Sequence, residues 1–463
     1  MVREKQFYKT LFTIAIPAAL QSIISFSVGM ADTVMVGQLG DNALAGVAVS
    51  NQVNTFLFSL LAGITSGSSV LIAQYWGKRD AASIKYIFSL VFLACVSIGF
   101  LATAAALVFP RSVLRLMAGD NEALIAAAIP YFTTVCFSYA LYAATSAMTG
   151  MMRNVEVVMA AMFTSLGAAL LNIFLNWILI FGKFGFPAMG VKGAALATLI
   201  SRIAETAIIA VYILFVQKKF PLKLADLFHT KIYIIHDYLR YGLPIAAGDS
   251  QWAFVGVIKA AIIGHLGTLM VSANAIADTI MGIGYISSGS LAAGAIVVVG
   301  KAVGSGDNKK ARQYSDTIQI IFAVMAVVMA SLVFGLRAPI AGLFDVSESV
   351  RGLAIQLITI GAFTLLGTLY HAACFVGINR GAGDGRFVFF VDMICGWLIV
   401  IPCMFVSAHV LRLSMPLVFL MSRIDQCFKW IIAFIRLRGN KWIHNVTRNR
   451  DARDIGVPAD IVG

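Results

Sequence analysis

A single carboxylate stands inside the first long apolar stretch of the chain: Asp32, in Phe26-Ser-Val-Gly-Met-Ala-Asp-Thr-Val-Met-Val-Gly-Gln-Leu-Gly40. A charged side chain at the middle of a spanning helix disfavours insertion by about 2.5–3.5 kcal/mol on insertion scales. Counting back from Asp32 at helical intervals gives Gly29, Ser25 and Gln21, a narrow small or polar stripe on an otherwise apolar helix. Such a stripe belongs against a cavity or another helix, not lipid. Two chemistries fit it: a carboxylate held by neighbouring hydroxyls and amides for packing, or an ion or proton site.

Other chemistries find no support in the residue patterns. Gly300-Lys301 with Gly294 upstream approaches a phosphate loop, but the glycine spacing is one too long and Ala302 stands where Ser or Thr is needed. Gly381-Ala-Gly-Asp-Gly385 has no strand before it, which rejects a dinucleotide fingerprint. There is no HExxH helix and no GxSxG elbow, so an enzyme is not expected. The cysteines, 95, 136, 374, 395, 403 and 427, fall within apolar segments, with neither metal-ligand spacing nor a disulfide framework. No metal and no bound cofactor is expected.

The elements that must position Asp32 follow from composition. The chain is 60% hydrophobic and only 12% charged, with mean hydropathy +0.88, about half the charge of a soluble domain. It reads as a polytopic all-α membrane protein. At about 20 apolar residues per span, twelve helices are predicted, near 11–36, 44–73, 86–109, 123–149, 158–182, 190–216, 239–264, 272–300, 313–336, 350–378, 387–409 and 414–437. These runs are too long and continuous for a barrel's ten-residue alternation. The amino end runs straight into the first span without a cleavage site, so a retained helix is expected there instead of a signal peptide.

The net charge of +13 does not call for nucleic acid. With the amino end inside, the inner segments hold 24 Lys and Arg, the outer loops seven, and the spans the remaining four of 35 (Arg202, Lys259, Arg423, Lys429). That asymmetry is a topology signal placing both termini in the cytoplasm of a cell membrane protein, with the bilayer as its surroundings. The polar segment 439–463 is too short for a domain and is expected to be a mobile cytoplasmic tail.

The chain also repeats itself. The longest polar interruption, 217–237, divides it into a first lobe (1–216, helices 1–6) and a second lobe (238–438, helices 7–12). Sliding the first by 227 positions pairs Pro17 with Pro244, Gly29 with Gly256, Gly37 with Gly264, Gly77 with Gly304, Asp80 with Asp307, Gly150 with Gly377 and Arg153 with Arg380. An even number of spans per half makes this a parallel repeat, with two six-helix lobes related by a pseudo-two-fold along the membrane normal, an architecture suited to alternating access. Pro17 and Pro244 lie in the first helix of each lobe and are hinge candidates. Asp80 and Asp307 are expected to cap the helices that follow them. The repeat partner of Asp32 is Lys259, so equivalent positions carry opposite charges. Lys259 needs a partner, with Asp278 and Asp392 as candidates, or else reaches for the interface.

On these pieces the chain resembles the multidrug and toxic compound extrusion (MATE) family over nearly all of residues 8–438. They are Ile16-Pro17 with Ala31-Asp32-Thr-Val-Met-Val-Gly37, Gln74-Tyr-Trp-Gly77-Lys-Arg-Asp80, Asn172-Ile-Phe-Leu-Asn176, Gly190-Val-Lys-Gly193-Ala-Ala-Leu-Ala-Thr198, Gly242-Leu-Pro244, and Gly377-Ile-Asn-Arg-Gly-Ala-Gly-Asp384. The resemblance implies an antiporter exporting small amphipathic, often cationic compounds against inward flow of H⁺ or Na⁺. It places a cation site at Asp32, Asn172 and Asn176, with Thr198 beside them. The family pattern has a second carboxylate where Asn176 stands; its absence favours a proton over Na⁺, since an amide still offers a carbonyl oxygen but no charge. Some members carry a Glu midway along the seventh span, and here Asp249 lies one turn away.

Substrate-cavity candidates are Gln21, Ser25, Tyr139, Trp177, Trp252 and Met281, through polar, cation–π and soft apolar contact; packing is the alternative role for the aromatic and methionine side chains. A monomer is the expected working unit. The rival readings are a flippase for lipid-linked saccharides on a related two-lobe frame, another twelve-span transporter superfamily, and a membrane receptor or embedded enzyme. A flippase calls for a strongly cationic cleft, and only Lys259 is central.

Overall fold

The computed structural model describes residues 2–448 apart from 120, 345 and 440, and among these it contains helices and turns but no strand. The first half supplies α1 (Lys5–Gly37), α2 (Asp41–Gly77), α3 (Ala81–Val108), α4 (Glu122–Asn154), α5 (Met159–Phe181) and α6 (Val191–Val216). The second supplies α7 (Leu243–His265), α8 (Thr268–Gly304), α9 (Asn308–Ala341), α10 (Glu348–Asn379) and α11 (Gly385–Val410). The last span, α12, comes in two pieces, Met415–Met421 and Lys429–Arg438, with a 3-10 turn at Ile424–Cys427.

Among the described residues, ten helices are long and apolar enough to cross a membrane. The other two expected spans fall short for physical reasons. α7 carries Asp249, Gln251 and Lys259 along its length, and the break in α12 coincides with Arg423, Asp425 and Lys429. Non-helical backbone at membrane depth is tolerated where protein, not lipid, surrounds it, and Arg423, Asp425 and Lys429 are all buried.

The 227-residue register is visible in local chemistry. Asp80 caps α3 by accepting from the Ser83 amide (3.0 Å) and hydroxyl (2.7 Å), and Asp307 caps α9 by accepting from the Lys310 amide (2.9 Å). Just before them, Gly77 and Gly304 lie against one another's helices. A Cβ on Gly77 would run into the Lys301 backbone, and one on Gly304 into the Gln74 backbone. The two repeat-related glycines thus let the ends of α2 and α8 approach more closely than any side chain permits.

Two compact units emerge from this packing, and their bounds depart from the expected lobes. One holds residues 2–19, Ala73–Lys78 and Arg240–Arg448; the other holds Leu20–Ile72 and Arg79–Leu239. The start of α1 and the end of α2 therefore pack with the second half of the chain. Phe7, Leu11 and Ala15 share a core with Val299, Val303, Ala311 and Tyr314. The Val2 amide donates to Thr317 (2.9 Å). Glu4 pairs with Lys310 (3.0 Å) and accepts from Tyr314 (2.9 Å), and the Lys310 hydrogen bond holds its carboxyl below the usual range.

Pro17 lies within the continuous α1. Pro244 follows a wide π-type turn at Tyr238–Gly242 that joins the helical residues from Ile232 to α7 without a break, and that turn accommodates its missing N–H. One further expectation needs correction. The segment after α12 was expected to be mobile, yet Trp442 and Val446 are buried at 1% and 4% exposure. The remainder of that tail, 449–463, lies outside the described residues.

Gly77→Ala and Gly304→Ala are each expected to destabilise the protein by about 1–3 kcal/mol, the usual cost of overpacking. Thermal unfolding in detergent checks this, with Gly29→Ala as control: a Cβ there meets nothing within 4 Å and should leave the melting temperature unchanged.

Candidate functional site

Asp32 faces α5 and α6. Its carboxylate accepts a hydrogen bond from the Asn176 amide nitrogen. The same nitrogen donates to the Asn172 carbonyl one turn away (3.2 Å), and the Asn172 amide nitrogen reaches the Thr198 hydroxyl at 3.5 Å. Thr198 in turn donates to the Ala194 carbonyl (3.1 Å). The structure thus joins Asp32, Asn172, Asn176 and Thr198 in one chain of contacts. The spacing of α5 makes this possible, since residues four apart lie above one another on a helix. Asn176 is wholly buried, and its side-chain carbonyl oxygen has no partner among the described residues.

A second polar chain runs through residues that sequence reasoning passed over. Tyr131 on α4 donates to Asn51 on α2 (3.5 Å). Asn51 also accepts from Asn54 (3.0 Å), and Asn54 accepts from Tyr139 (2.7 Å). Tyr139 is therefore committed inside the bundle. The available signal was Asn51 and Asn54, a pair of amides three residues apart within an apolar span.

Lower on α1, Gln21 donates to Ser165 (3.0 Å), which donates to Glu205 (2.9 Å), which is paired with Arg202 (2.5 Å). Ser25 turns back onto the Gln21 carbonyl (2.9 Å). The stripe predicted for α1 thus has polar partners at Gln21 and Asp32. Trp177 lies on another face of α5, 41% exposed, against Phe174 and Phe184.

The second unit answers its charges differently. Asp249 forms a two-pronged pair with Arg380 (2.7 and 3.0 Å). Asp278 is taken by Arg423 (3.0 Å) and Asn274 (2.8 Å). Asp392 is taken by Lys429 (2.7 Å), which also contacts Asp425 (3.4 Å) and stands 4.7 Å over the Trp252 ring. Both carboxylates proposed for Lys259 are therefore occupied by other cations. The break in α12 brings Arg423 and Lys429 to them; the i, i+4 spacing of Asp425 and Lys429 was the legible hint. Trp252 serves an internal cation, and Met281 is fully buried in the apolar core. An apolar cavity of about 790 Å³ opens between α9, α10 and α12, bordered by Phe363, Tyr370, Gln426 and Trp430; none of the cavity candidates named above lines it.

Against known proteins, the family model described as MatE matches residues 17–178 and 244–406. The two matches begin 227 residues apart, the register of the internal repeat. An uncharacterized transporter of Bacillus subtilis, YisQ, is 25% identical over 446 residues, covering 94% of this chain and 95% of that one. A "Probable multidrug resistance protein NorM" of Halalkalibacterium halodurans is 28% identical over 408 residues, 87% of each chain. Among solved structures, the outward-facing conformation of a multidrug resistance MATE family transporter of the MOP superfamily matches with TM-score 0.82 at 22% identity, covering 93% of this chain and 95% of that one. A Pyrococcus furiosus MOP superfamily transporter, described as having a binding pocket of reverse polarity, matches with TM-score 0.83 at 22% identity and the same coverage.

Lys429→Met is expected to destabilise the protein by about 3–5 kcal/mol, because it strands two buried carboxylates. Adding Asp392→Asn should recover part of that loss. Melting temperatures of the single and double variants in detergent check both statements.

Proposed function

The chain belongs to the MatE family of transporters, and on that premise we propose that it is a cation-coupled antiporter exporting small amphipathic, cationic compounds, with Asp32 as its coupling site and H⁺ as its coupling ion. The observation that carries this reading is the unpartnered Asn176 carbonyl oxygen beside the Asp32–Asn176 hydrogen bond. An amide that turns its N–H to a carboxylate suits the ionised form. A proton on Asp32 turns that carboxyl into a donor, which needs an acceptor. Rotating the same amide by half a turn supplies one, and Asn172 and Thr198 then lose or exchange their partners in sequence. Protonation at one residue thereby becomes a rearrangement of contacts linking α1, α5 and α6.

Proton coupling fits the donor set better than Na⁺. A sodium ion favours several hard oxygens with more than one negative charge, and this cluster holds a single carboxylate and two amides. One proton moved inward releases about 2.3 kcal/mol per 100 mV of membrane potential, which exceeds the ~1.4 kcal/mol needed for a tenfold concentration ratio.

In this reading 1–216 and 238–438 act as the two lobes, joined by 217–237, in a cell membrane with both termini in the cytoplasm, as the distribution of Lys and Arg supports. A monomer suffices, because the duplication already supplies both halves. Pro17 supports a bend in α1: it lies within two residues of the point where that helix passes from one compact unit to the other, between Ala19 and Leu20. The flippase reading is disfavoured, since Arg380, Arg423 and Lys429 are each matched by a carboxylate, which leaves Lys259 as a single central cation and not a strongly cationic cleft.

In proteoliposomes carrying a pH-sensitive dye, addition of a lipophilic cation should drive proton movement by the wild-type protein. Asp32→Asn, inserted in equal amount, should reduce it at least tenfold; a wild-type rate would refute the coupling role. Asn176→Asp restores a second carboxylate and is expected to confer stimulation by Na⁺ that the parent lacks.

A further inference from the structure

The motif Gln74-Tyr-Trp-Gly-Lys-Arg-Asp80 plays no part in the proton site, yet Gln74 is wholly buried and uses both halves of its amide. Its nitrogen donates to the carbonyls of Gly381 (3.1 Å) and His444 (3.0 Å), and its oxygen accepts from the Val446 amide (2.8 Å). Two of these three partners belong to the segment after α12. The same segment is held at both ends. The His444 amide donates to Ala382 (2.7 Å) and Asn445 donates to the Val303 carbonyl (3.2 Å). The Arg448 amide donates to Tyr75 (3.2 Å), while Lys78 donates to the Arg448 carbonyl (2.5 Å). At its root, Arg436 grips Asp384 with two bonds (2.8 and 3.0 Å) and the Lys441 carbonyl with a third (2.9 Å). Gly383, at φ +88°, has no Cβ and so leaves room for the His444 carbonyl.

These contacts fasten the last turn of α2 to the ends of α8 and α10. Ala73–Lys78 belongs to one compact unit while the rest of α2, Asp41–Ile72, belongs to the other. Any motion of one unit against the other must therefore either bend α2 near Ile72 or pull its end free.

We propose that residues 441–448 form a latch that holds the end of α2 against the second half of the chain and must be released once in every transport cycle, with Gln74 as its keeper. This rests on the alternating-access reading above. Gln74 acts by position, not by touching substrate or proton. With the latch closed, the end of α2 stays with α8, where the Gly77 and Gly304 crossing is tightest. With it open, that end is free to follow the remainder of its own helix.

The test joins the latch to its keeper. Lys78→Cys and Arg448→Cys are introduced into a chain whose two non-buried cysteines, Cys403 and Cys427, are replaced by alanine, and bridged with a short reducible bis-methanethiosulfonate. Proton-coupled transport of a lipophilic cation is then measured in proteoliposomes before and after reduction. The expected result is a loss of at least tenfold on bridging, restored by reductant. Bridged protein transporting as fast as reduced protein would overturn the latch. Absence of transport in both states would count against the antiporter reading instead. A second measurement uses hydrogen exchange: removal of 441–463, or Gln74→Ala, should raise exchange at 73–78 and 300–306 several-fold, whereas removal of 449–463 alone should not. Unchanged exchange at 73–78 after loss of 441–463 would equally overturn it.

Discussion

Hydrocarbon offers no water to a buried charge, so each ionised side chain placed at membrane depth must find its partners within the protein. In this chain that requirement explains features that have no other common cause: the break in α12, the polar stripe of α1 and the amide pair of α5. The two halves began from one pattern, as the 227-residue register shows, and meet the requirement by different means. The first unit answers Asp32 with neutral amides and a hydroxyl. The second answers its carboxylates with cations, Arg380, Arg423 and Lys429.

The difference has consequences for motion. An ammonium against a carboxylate is a fixed solution, because separating the two leaves charges stranded at a cost of several kcal/mol. A primary amide carries donor and acceptor on the same planar group, so it can answer a charged carboxylate or a neutral carboxyl by turning over. Asn176 is wholly buried and its oxygen is unengaged among the described residues, which leaves such a turn available without breaking another bond of that oxygen. The unit built on amides is thus the one suited to respond to a proton, and the unit built on ion pairs the one suited to stay rigid.

Much of the fold was legible because membrane helices announce themselves through length and hydropathy, and because glycines and capping carboxylates repeat at constant register. The caps at Asp80 and Asp307 follow from residue type and place alone. The cluster of Asp32, Asn172, Asn176 and Thr198 was accessible through resemblance combined with helical spacing. What escaped was pairing across distance. Lys259 stands at the repeat position of Asp32, but its expected carboxylates were taken by Arg423 and Lys429, which only a break in α12 could deliver. Hydropathy treats α12 as one span and cannot foresee that break. Tyr139, Trp252 and Met281 stay between two roles in the sequence for a related reason: an aromatic or methionine reads the same whether it lines a cavity, stacks on an internal cation or fills a core. For residues 441–448 polarity alone suggests mobility, whereas their backbone carbonyls and amides are held by a single well-placed glutamine.

That glutamine also bears on how strong a conformational lock can be in a transporter that, as proposed, is driven by one proton. A hydrogen bond contributes about 0.5–1.5 kcal/mol net, so the three bonds of Gln74 amount to a few kcal/mol, to which the other contacts of 441–448 add. One elementary charge crossing 100 mV releases about 2.3 kcal/mol, which is the same order. A lock made of buried ion pairs, like those elsewhere in the second unit, would exceed the work available per cycle and hold the end of α2 permanently. A lock of one or two solvent-exposed contacts would yield to thermal motion and couple nothing. Amide-to-backbone bonds between these limits are strong enough to define a state and weak enough to be released by the ion that the cycle carries.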